Sequence, residues 1–462
     1  MTVLLCAVLS GVMFYLSQGL DNVWSLAWIA PVPLLWLAYG AAPRWQVLAA
    51  SFVAFAAGQI YMVQAYGGIL PVMVVALSML GPGALFAFAI VRARTVQRKL
   101  PPLVTLVAFP VFWTSIEYLY SLVSPGGSFG SLAYSQVSYP ATIQIVSVFG
   151  LYAVTFTLCL FANALALAAR GARSAGAIGI GFCALVLAVG YFSLAAPQGA
   201  TVQVAALSDW EGRLRAVRKL DPSATFAMAQ AYAKAAREQA GRGARLIVIS
   251  ETALAASPAW RDAALAPLAA VARDKQATIV AGVMLANPWR NVALTFLPDG
   301  TVHEYDKRHL LLPLERRYRP GQAPGILDGG KAVAICKDLD FPRTLRADAR
   351  SAAGQGGIRL MAVPANDFVK DDWLHARMAV VRGVENGFAQ VRSAFNGLET
   401  VSDAQGRIIA SANTSRAGMV SIEAKVALGP GPTLYTRIGD VFAWLCVAAA
   451  LGLAAWVFRK QP

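Results

Sequence analysis

Apolar residues run in long blocks near positions 1–20, 23–40, 47–66, 71–91, 103–122, 143–169 and 175–196, and once more near 439–458. Each block reaches or approaches the roughly 20 residues a helix needs to cross a bilayer. Between the seventh and eighth blocks the pattern changes. Short runs rich in β-branched residues at 201–207, 245–250, 278–283, 292–297, 331–336, 358–363 and 389–393 predict strands. Alanine-rich stretches at 223–240, 259–275 and 372–386 predict helices between them, each opening behind an Asp or Ser cap. Pro298-Asp299-Gly300 predicts a hairpin turn. The expected fold is a multi-span α-helical membrane domain with eight transmembrane helices, seven in residues 1–198 and the eighth in 433–462. An α/β sandwich of mixed sheets is expected at 199–432.

Charge follows the same division. Residues 1–200 carry seven basic and two acidic side chains, whereas 201–440 carry 31 and 23. The overall 57% hydrophobic content and mean hydropathy of +0.53 are too high for an ordinary water-soluble chain. Arg44, the Arg92–Lys99 cluster, Arg170 with Arg173, and Arg459 with Lys460 fall in alternate connections and at the C-terminus, and the other short connections carry no basic residue. By the positive-inside rule both termini are cytoplasmic and the α/β domain lies on the far side of the membrane. The first apolar block has neither a basic start nor a small-residue cleavage site, so it reads as a retained helix. The basic balance suits anionic headgroups, and no interleaved basic and aromatic run suggests nucleic acid.

No CxxC spacing occurs, so neither a zinc site nor a disulfide framework is indicated, and no cofactor or metal is expected. Cys6, Cys159, Cys183 and Cys446 sit in apolar blocks; Cys336 is alone in the α/β domain. It ends the run Ala334-Ile335-Cys336, as Glu251 follows Ile247-Val248-Ile249-Ser250 and Lys307 follows Tyr305-Asp306. A strand that ends in a reactive side chain presents it at the rim of a sheet. A thiol attacking a carbonyl needs a base and a stabilised oxyanion. Cys336 supplies the nucleophile and Glu251 the base, while Lys307 holds the oxyanion and lowers the thiol pKa. The bland alternative is a buried structural thiol beside an exposed strand-end ion pair. Glu117 is the one acid in the interior of an apolar block, Asp440 standing at the very start of the last one. It reads either as a functional intramembrane carboxylate or as an outer-interface group bonded to Tyr or Ser neighbours.

These segments resemble the nitrilase, or carbon–nitrogen hydrolase, superfamily, whose Glu, Lys and Cys order matches Glu251, Lys307 and Cys336. The resemblance implies an αββα sandwich. Asp306-Lys307-Arg308-His309-Leu310 ahead of Pro313-Leu314-Glu315 points to Glu315 as the superfamily's second glutamate near the nucleophile. Asp338 is a further carboxylate beside Cys336. Across nearly the whole chain the pattern is similar to the apolipoprotein N-acyltransferase branch. Trp113-x-x-x-Glu117, Gln144, Phe149-Gly150-Leu151-Tyr152 and Thr433-Leu434-Tyr435-Thr436-Arg437-Ile438-Gly439-Asp440 carry that likeness, as do Asn366-Asp367, His375, Arg382, Glu385, Arg392 and Asn396-Gly397. Phe368 and Trp373 line a lid or greasy pocket, or simply pack. Arg382 and Glu385, three apart on one helix, read as a pair.

The branch implies a bacterial inner-membrane enzyme. A phospholipid would acylate Cys336, and the α-amino group of an S-diacylglyceryl-cysteine lipoprotein would take the acyl chain as an amide. A membrane-anchored amidase with water as acceptor uses the same three residues, and so would a different amine. The chain departs from the branch in the lining. Lys337-Asp338 stand where Tyr-Glu is usual, Ser250 replaces a proline, and Phe129-Gly130-Ser131 replaces Phe-Pro-Trp. A Lys-Trp pair has no counterpart near Arg218-Lys219-Leu220.

Overall fold

The computed structural model describes residues 1–209, 217, 220–312, 314–415 and 418–459. Arg218, Lys219 and Lys460 lie outside the described residues. The chain forms two compact units, Met1–Ala196 with Ile438–Pro462, and Pro197–Arg437.

In the first unit, six helices among the described residues are long and apolar enough to cross a membrane: Arg44–Tyr66, Val72–Gln97, Pro102–Val123, Tyr152–Ala169, Arg173–Leu194 and Val441–Arg459. The expected count of eight is not reached. Thr2–Gln18 has 17 residues, about 25 Å of helix at 1.5 Å per residue, short of the roughly 30 Å hydrocarbon layer. The next block breaks into a 3-10 turn, Trp24–Trp28, and a helix, Val32–Ala38, because Pro31 cannot continue the hydrogen-bond ladder. The block at 143–169 also breaks. Gly150 takes φ +77° after the short helix Val146–Phe149, and the spanning piece begins at Tyr152. Inside the unit, Phe55 stacks on Phe86 at 4.4 Å between ring centroids, with Trp113 edge-on at 5.0 Å. Leu77, Leu185, Phe192 and Leu451 remain exposed, which water would penalise and acyl chains would not.

The second unit is two six-stranded sheets. One has the order β12-β1-β2-β3-β4-β5, from Met419–Ala427, Thr201–Asp209, Leu246–Ala256, Thr278–Leu285, Arg290–Phe296 and Val302–Asp306. The other has the order β11-β10-β9-β8-β7-β6, from Ile408–Asn413, Leu398–Ser402, Ala389–Phe395, Leu360–Asn366, Lys331–Val333 and Ile326–Leu327. Each sheet has a parallel centre, β1-β2-β3 and β7-β8-β9, and antiparallel edges. Helices Pro222–Gly241 and Arg261–Lys275 make the crossovers of the first centre, Pro342–Ser351 and Asp372–Asn386 those of the second. Asp221 caps the first helix through the backbone N–H groups of Ser223 and Ala224. The predicted hairpin turn joins β4 to β5, with Gly300 at φ +90°.

The layers are helix, sheet, sheet, helix. Val204, Val248, Val280, Val333, Ile335, Ala362 and Val391 fill the space between the sheets. Ala229, Tyr232, Leu265 and Leu268 lie under the first helix pair, and Leu345 and Ala379 under the second. A parallel strand buried on both faces reads as an apolar run, as β3 does after Thr278. In β2 the run is interrupted in mid-strand by Ser250-Glu251-Thr252, so Glu251 lies inside its strand and not at the end where the sequence put it.

Candidate active site

Glu251 sits in β2 at a bulge, where pairing with β3 shifts between Ile249 and Leu254 and Thr252 takes φ +45°. The bulge turns consecutive side chains out of the alternating pattern. Gly282 makes room for it: a Cβ there would lie 2.3 Å from the Ser250 carbonyl oxygen and 2.5 Å from the Glu251 Cα.

Lys307 follows β5 and is 3% exposed. Its Nζ donates to Glu251 Oε1 at 2.7 Å and to Glu315 Oε1 and Oε2 at 3.0 and 2.9 Å. Burial disfavours its charge, but Glu251 and Glu315 outweigh it and hold the ammonium well above the ordinary lysine range. The exposed strand-end pair is therefore excluded, because both side chains are buried.

Asn291 of β4 completes this group and was not singled out in the sequence. Its Nδ2 donates to Glu251 Oε1 at 2.7 Å and to Glu315 Oε1 at 2.8 Å, and its backbone carbonyl accepts from Lys307 N. The only sign of it in the sequence is an amide inside an otherwise apolar strand.

Cys336 opens a 3-10 turn, Cys336–Asp340, immediately beyond β7. Its backbone takes φ +42°, a region that costs a side-chain-bearing residue on the order of 1–3 kcal/mol. The half-buried Sγ faces the Asn366 carbonyl at 3.6 Å. Burial, with Glu251 and Asp367 adding to it, raises the thiol well above its ordinary pKa; Lys307 and Arg392 pull the other way without winning. Lys307 lowers the thiol pKa, in the direction expected of it, but burial outweighs that pull. The resting group is a neutral thiol that must give its proton to a base.

The other named residues lie outside this group. Asp338 is fully buried and hydrogen-bonds a different set of groups from those around Glu251. Its Oδ1 accepts from Arg308 N, His309 N and His309 Nδ1, and its Oδ2 from the Tyr305 hydroxyl and Ile335 N. Burial alone would raise this carboxyl, but the bonds from His309, Tyr305 and Ile335 bring it below the usual range. Asp338 thus ties the Lys307 segment to the Cys336 turn. Asn366 ends β8, and the segment after it is braced by Asp371, which accepts from Phe368 N at 2.8 Å and pairs with His375 Nε2 at 3.0 Å. Phe368 and Trp373 are half-buried there, and their side chains make no hydrogen bond to the Glu251 group. Arg382 and Glu385 pair within their helix, both fully buried. Arg392 holds Asp367 with two hydrogen bonds, at 3.0 and 2.5 Å.

Glu117 belongs to the first unit. It accepts from Ser131 Oγ at 2.5 Å, Thr155 Oγ1 at 2.8 Å and Leu132 N at 3.4 Å, which ties the 124–131 loop to two helices.

Residues 10–165 match the apolipoprotein N-acyltransferase N-terminal domain, and residues 198–428 match the carbon-nitrogen hydrolase family. An apolipoprotein N-acyltransferase of Geobacter metallireducens is 29% identical over 99% of this chain and 95% of its own length. One of Vibrio vulnificus is 25% identical over 99% of this chain and 97% of its own. Among solved structures, an amidase from Nesterenkonia sp. is 21% identical, with a TM-score of 0.41 over 54% of this chain and 97% of that one.

Proposed function

Because the chain belongs to the carbon-nitrogen hydrolase family, we propose that Glu251, Lys307 and Cys336 carry acyl transfer, with Glu315 and Asn291 fixing the first two. The enzyme is an acyltransferase acting in lipoprotein N-acylation, as relatives matched along their whole length are. Cys336 Sγ–H gives its proton to Glu251, and the sulfur attacks an ester carbonyl of a membrane phospholipid. The ammonium of Lys307 stabilises the oxyanion, and Glu251 returns the proton to the leaving lysophospholipid oxygen. The thioester then passes its acyl chain to the α-amino group of an S-diacylglyceryl-cysteine lipoprotein.

The observation that carries this reading is the buried Glu251–Lys307–Glu315 cluster beside a thiol too weakly acidic to ionise unaided. A thiol whose pKa is raised by burial, with a carboxylate in the same site, suits general-base attack and does not suit a free thiolate. The membrane setting follows from the chain itself: the α/β unit is joined at both ends to apolar helices. The finer reading is a bacterial cytoplasmic membrane protein with catalytic unit 199–432 outside, residues 1–198 and 433–462 forming eight crossings, and both termini inside. Two of those crossings would be made by the short helix Thr2–Gln18 and by the interrupted segment 24–38, with the bilayer thinned around them.

The test is mass spectrometry of the Cys336 peptide after purified full-length enzyme meets labelled phosphatidylethanolamine, with and without a lipopeptide acceptor. Acyl mass at Cys336 that the lipopeptide removes is the expected result. Loss of the mass to water at the same rate makes the enzyme an amidase-like hydrolase. An active preparation with an unmodified peptide overturns the thioester route.

A further inference from the structure

The membrane unit holds three acids, Asp21, Glu117 and Asp440. Asp21 follows the helix Thr2–Gln18, Asp440 precedes Val441–Arg459, and Glu117 stands roughly 22 Å along Pro102–Val123 at 1.5 Å per residue. All three lie toward one end of the helices. At the other end Arg44 opens the helix Arg44–Gly58, and Arg94 and Arg98 close Val72–Gln97.

Arg94 is the buried member of this group, 4% exposed. Its Nη2 donates to the Ala42 carbonyl at 2.5 Å, and its Nη1 has no hydrogen-bond partner among the described residues. The charged groups that bear on it are Arg98, one helical turn on, and Arg44, two residues past that carbonyl. Both are cations, and both are exposed to a ligand arriving from outside. Neighbouring cations are occupied. Lys99 donates to the Val457 carbonyl, and Arg170 binds the Trp36 carbonyl while lying 3.9 Å from that ring's centroid.

A structural clamp accounts for the Arg94 bond to Ala42. It does not account for two further guanidinium groups gathered on the same spot. The C-terminus of Val72–Gln97 offers about half a negative charge against three whole positive ones. A buried cation without a counter-ion is among the costlier arrangements in a protein, and no carboxylate of the unit belongs to this end. The balancing charge must come from outside the chain. Guanidinium donors form a planar fork that matches phosphate oxygens.

We propose that Arg44, Arg94 and Arg98 form a binding site for the phosphate of an anionic phospholipid. The leaflet is the one this end of the helices meets, the cytoplasmic one by the distribution of basic residues. A phosphate between Arg44 and Arg98 meets two exposed guanidinium groups and brings negative charge to the buried third. A lipid suits the place better than a free phosphate ion. Trp45 is 69% exposed beside Arg44, as an interfacial anchor is, and exposed Leu48 lies one turn further along the same face for an acyl chain to cover. A zwitterionic headgroup brings its own cation, which three arginines repel. The inference draws on the membrane unit alone and stands whatever reaction the second unit performs.

The experiment titrates full-length enzyme, stripped of lipid in an uncharged detergent, with dioleoyl phosphatidylglycerol, dioleoyl phosphatidylcholine or inorganic phosphate. Native mass spectrometry counts bound lipid, and the melting temperature reports its effect. Phosphatidylglycerol should bind at one saturable site and raise the melting temperature, with phosphatidylcholine about tenfold weaker. Inorganic phosphate at the same concentrations should do neither. Arg44→Gln combined with Arg98→Gln leaves Arg94 and its Ala42 contact in place, and should weaken phosphatidylglycerol about 25-fold, at about fivefold per charge. Arg173→Gln, which removes a cation from the start of another helix, should leave the affinity unchanged. Equal losses per charge in Arg173→Gln and in the double variant would mean diffuse attraction and overturn the site. Equal protection by inorganic phosphate would overturn the lipid assignment. An Arg94→Gln enzyme that melts lower without lipid yet keeps the full phosphatidylglycerol response would make Arg94 a clamp only, and would overturn the proposal as well.

Discussion

His309 is bound to Asp338 twice, its backbone N–H donating at 2.9 Å and its Nδ1 lying 3.1 Å away, both at Oδ1. Phe341 stacks on the same imidazole at 3.8 Å between centroids. The carboxylate thereby fixes where the chain leaves β5, and so where Lys307 points, from a position two residues beyond the nucleophile. Asp338→Ala would leave the Ile335 and Arg308 amides and the Tyr305 hydroxyl without an acceptor in a dry site. The expected cost is about 3 kcal/mol, read as a lower melting temperature, with acylation reduced more than a hundredfold. Asp338→Asn keeps an acceptor at Oδ1 and should lose less. Equal losses in the two variants would argue against a positioning role.

Glu251→Gln separates the base from its charge. The carboxamide still accepts from Lys307 and Asn291, so the fold should hold while acylation falls by about 10²–10⁴. Because burial and the Glu251 carboxylate keep the wild-type thiol well above its ordinary pKa, the variant's residual rate should climb with pH as hydroxide replaces the missing base. A residual rate that stays flat from pH 7 to 10 would show that Glu251 does not take the thiol proton. Lys307→Met differs in kind. It leaves Glu251 with only the Asn291 amide and Glu315 with that amide and the Leu311 N–H, and a buried carboxylate that has lost its counter-ion should destabilise the site by about 3–5 kcal/mol.

The strand that holds Glu251 is buried along its whole length, and Ala332-Val333-Ala334-Ile335 ahead of Cys336 are buried too, so both apolar runs stand out in sequence. Other strands do not. The edge strand Val302–Asp306 is mostly exposed and ends in charge, and Leu398–Ser402, interior to its sheet, carries Glu399 and Thr400 inside the core. Met419–Ala427 does alternate buried with exposed, but Glu423 and Lys425 lower its apolar content enough to hide it. Asn291 was missed because a single amide in an apolar strand reads as tolerated polarity, and only pairing with β5 shows what it touches. In the membrane unit, hydropathy cannot see a break at Pro31 or Gly150, since both sit inside uniformly apolar blocks.

Gly282 tests whether the β2 bulge is required. Alanine there would place its Cβ against the Ser250 carbonyl, a backbone atom that cannot rotate away. The expected cost is about 1–3 kcal/mol, with Glu251 displaced and acylation lost well before global unfolding. If Gly282→Ala melts like wild type and keeps its turnover, the bulge is free to shift and does not set the position of the base.

His375 provides the pH test of the segment after β8. Burial lowers the pKa of the imidazole, but Asp371 at 3.0 Å more than offsets this, and Asp367 and Asp340 add to it, raising His375 to about 9. A folded value above the unfolded 6.5 means the stabilisation is whole below pH 6.5 and is lost as pH rises through 9. The shift corresponds to on the order of 3 kcal/mol at 1.36 kcal/mol per unit. Thermal melts of wild type and His375→Asn in detergent should differ most at pH 6 and converge near pH 10. The same carboxylate of Asp371 orders Phe368 N, so limited proteolysis at 367–373 should also rise in wild type across that window. A melting difference that stays constant from pH 6 to 10 would mean that His375 is neutral in the folded state, and that Asp371 braces this segment through the Phe368 amide alone.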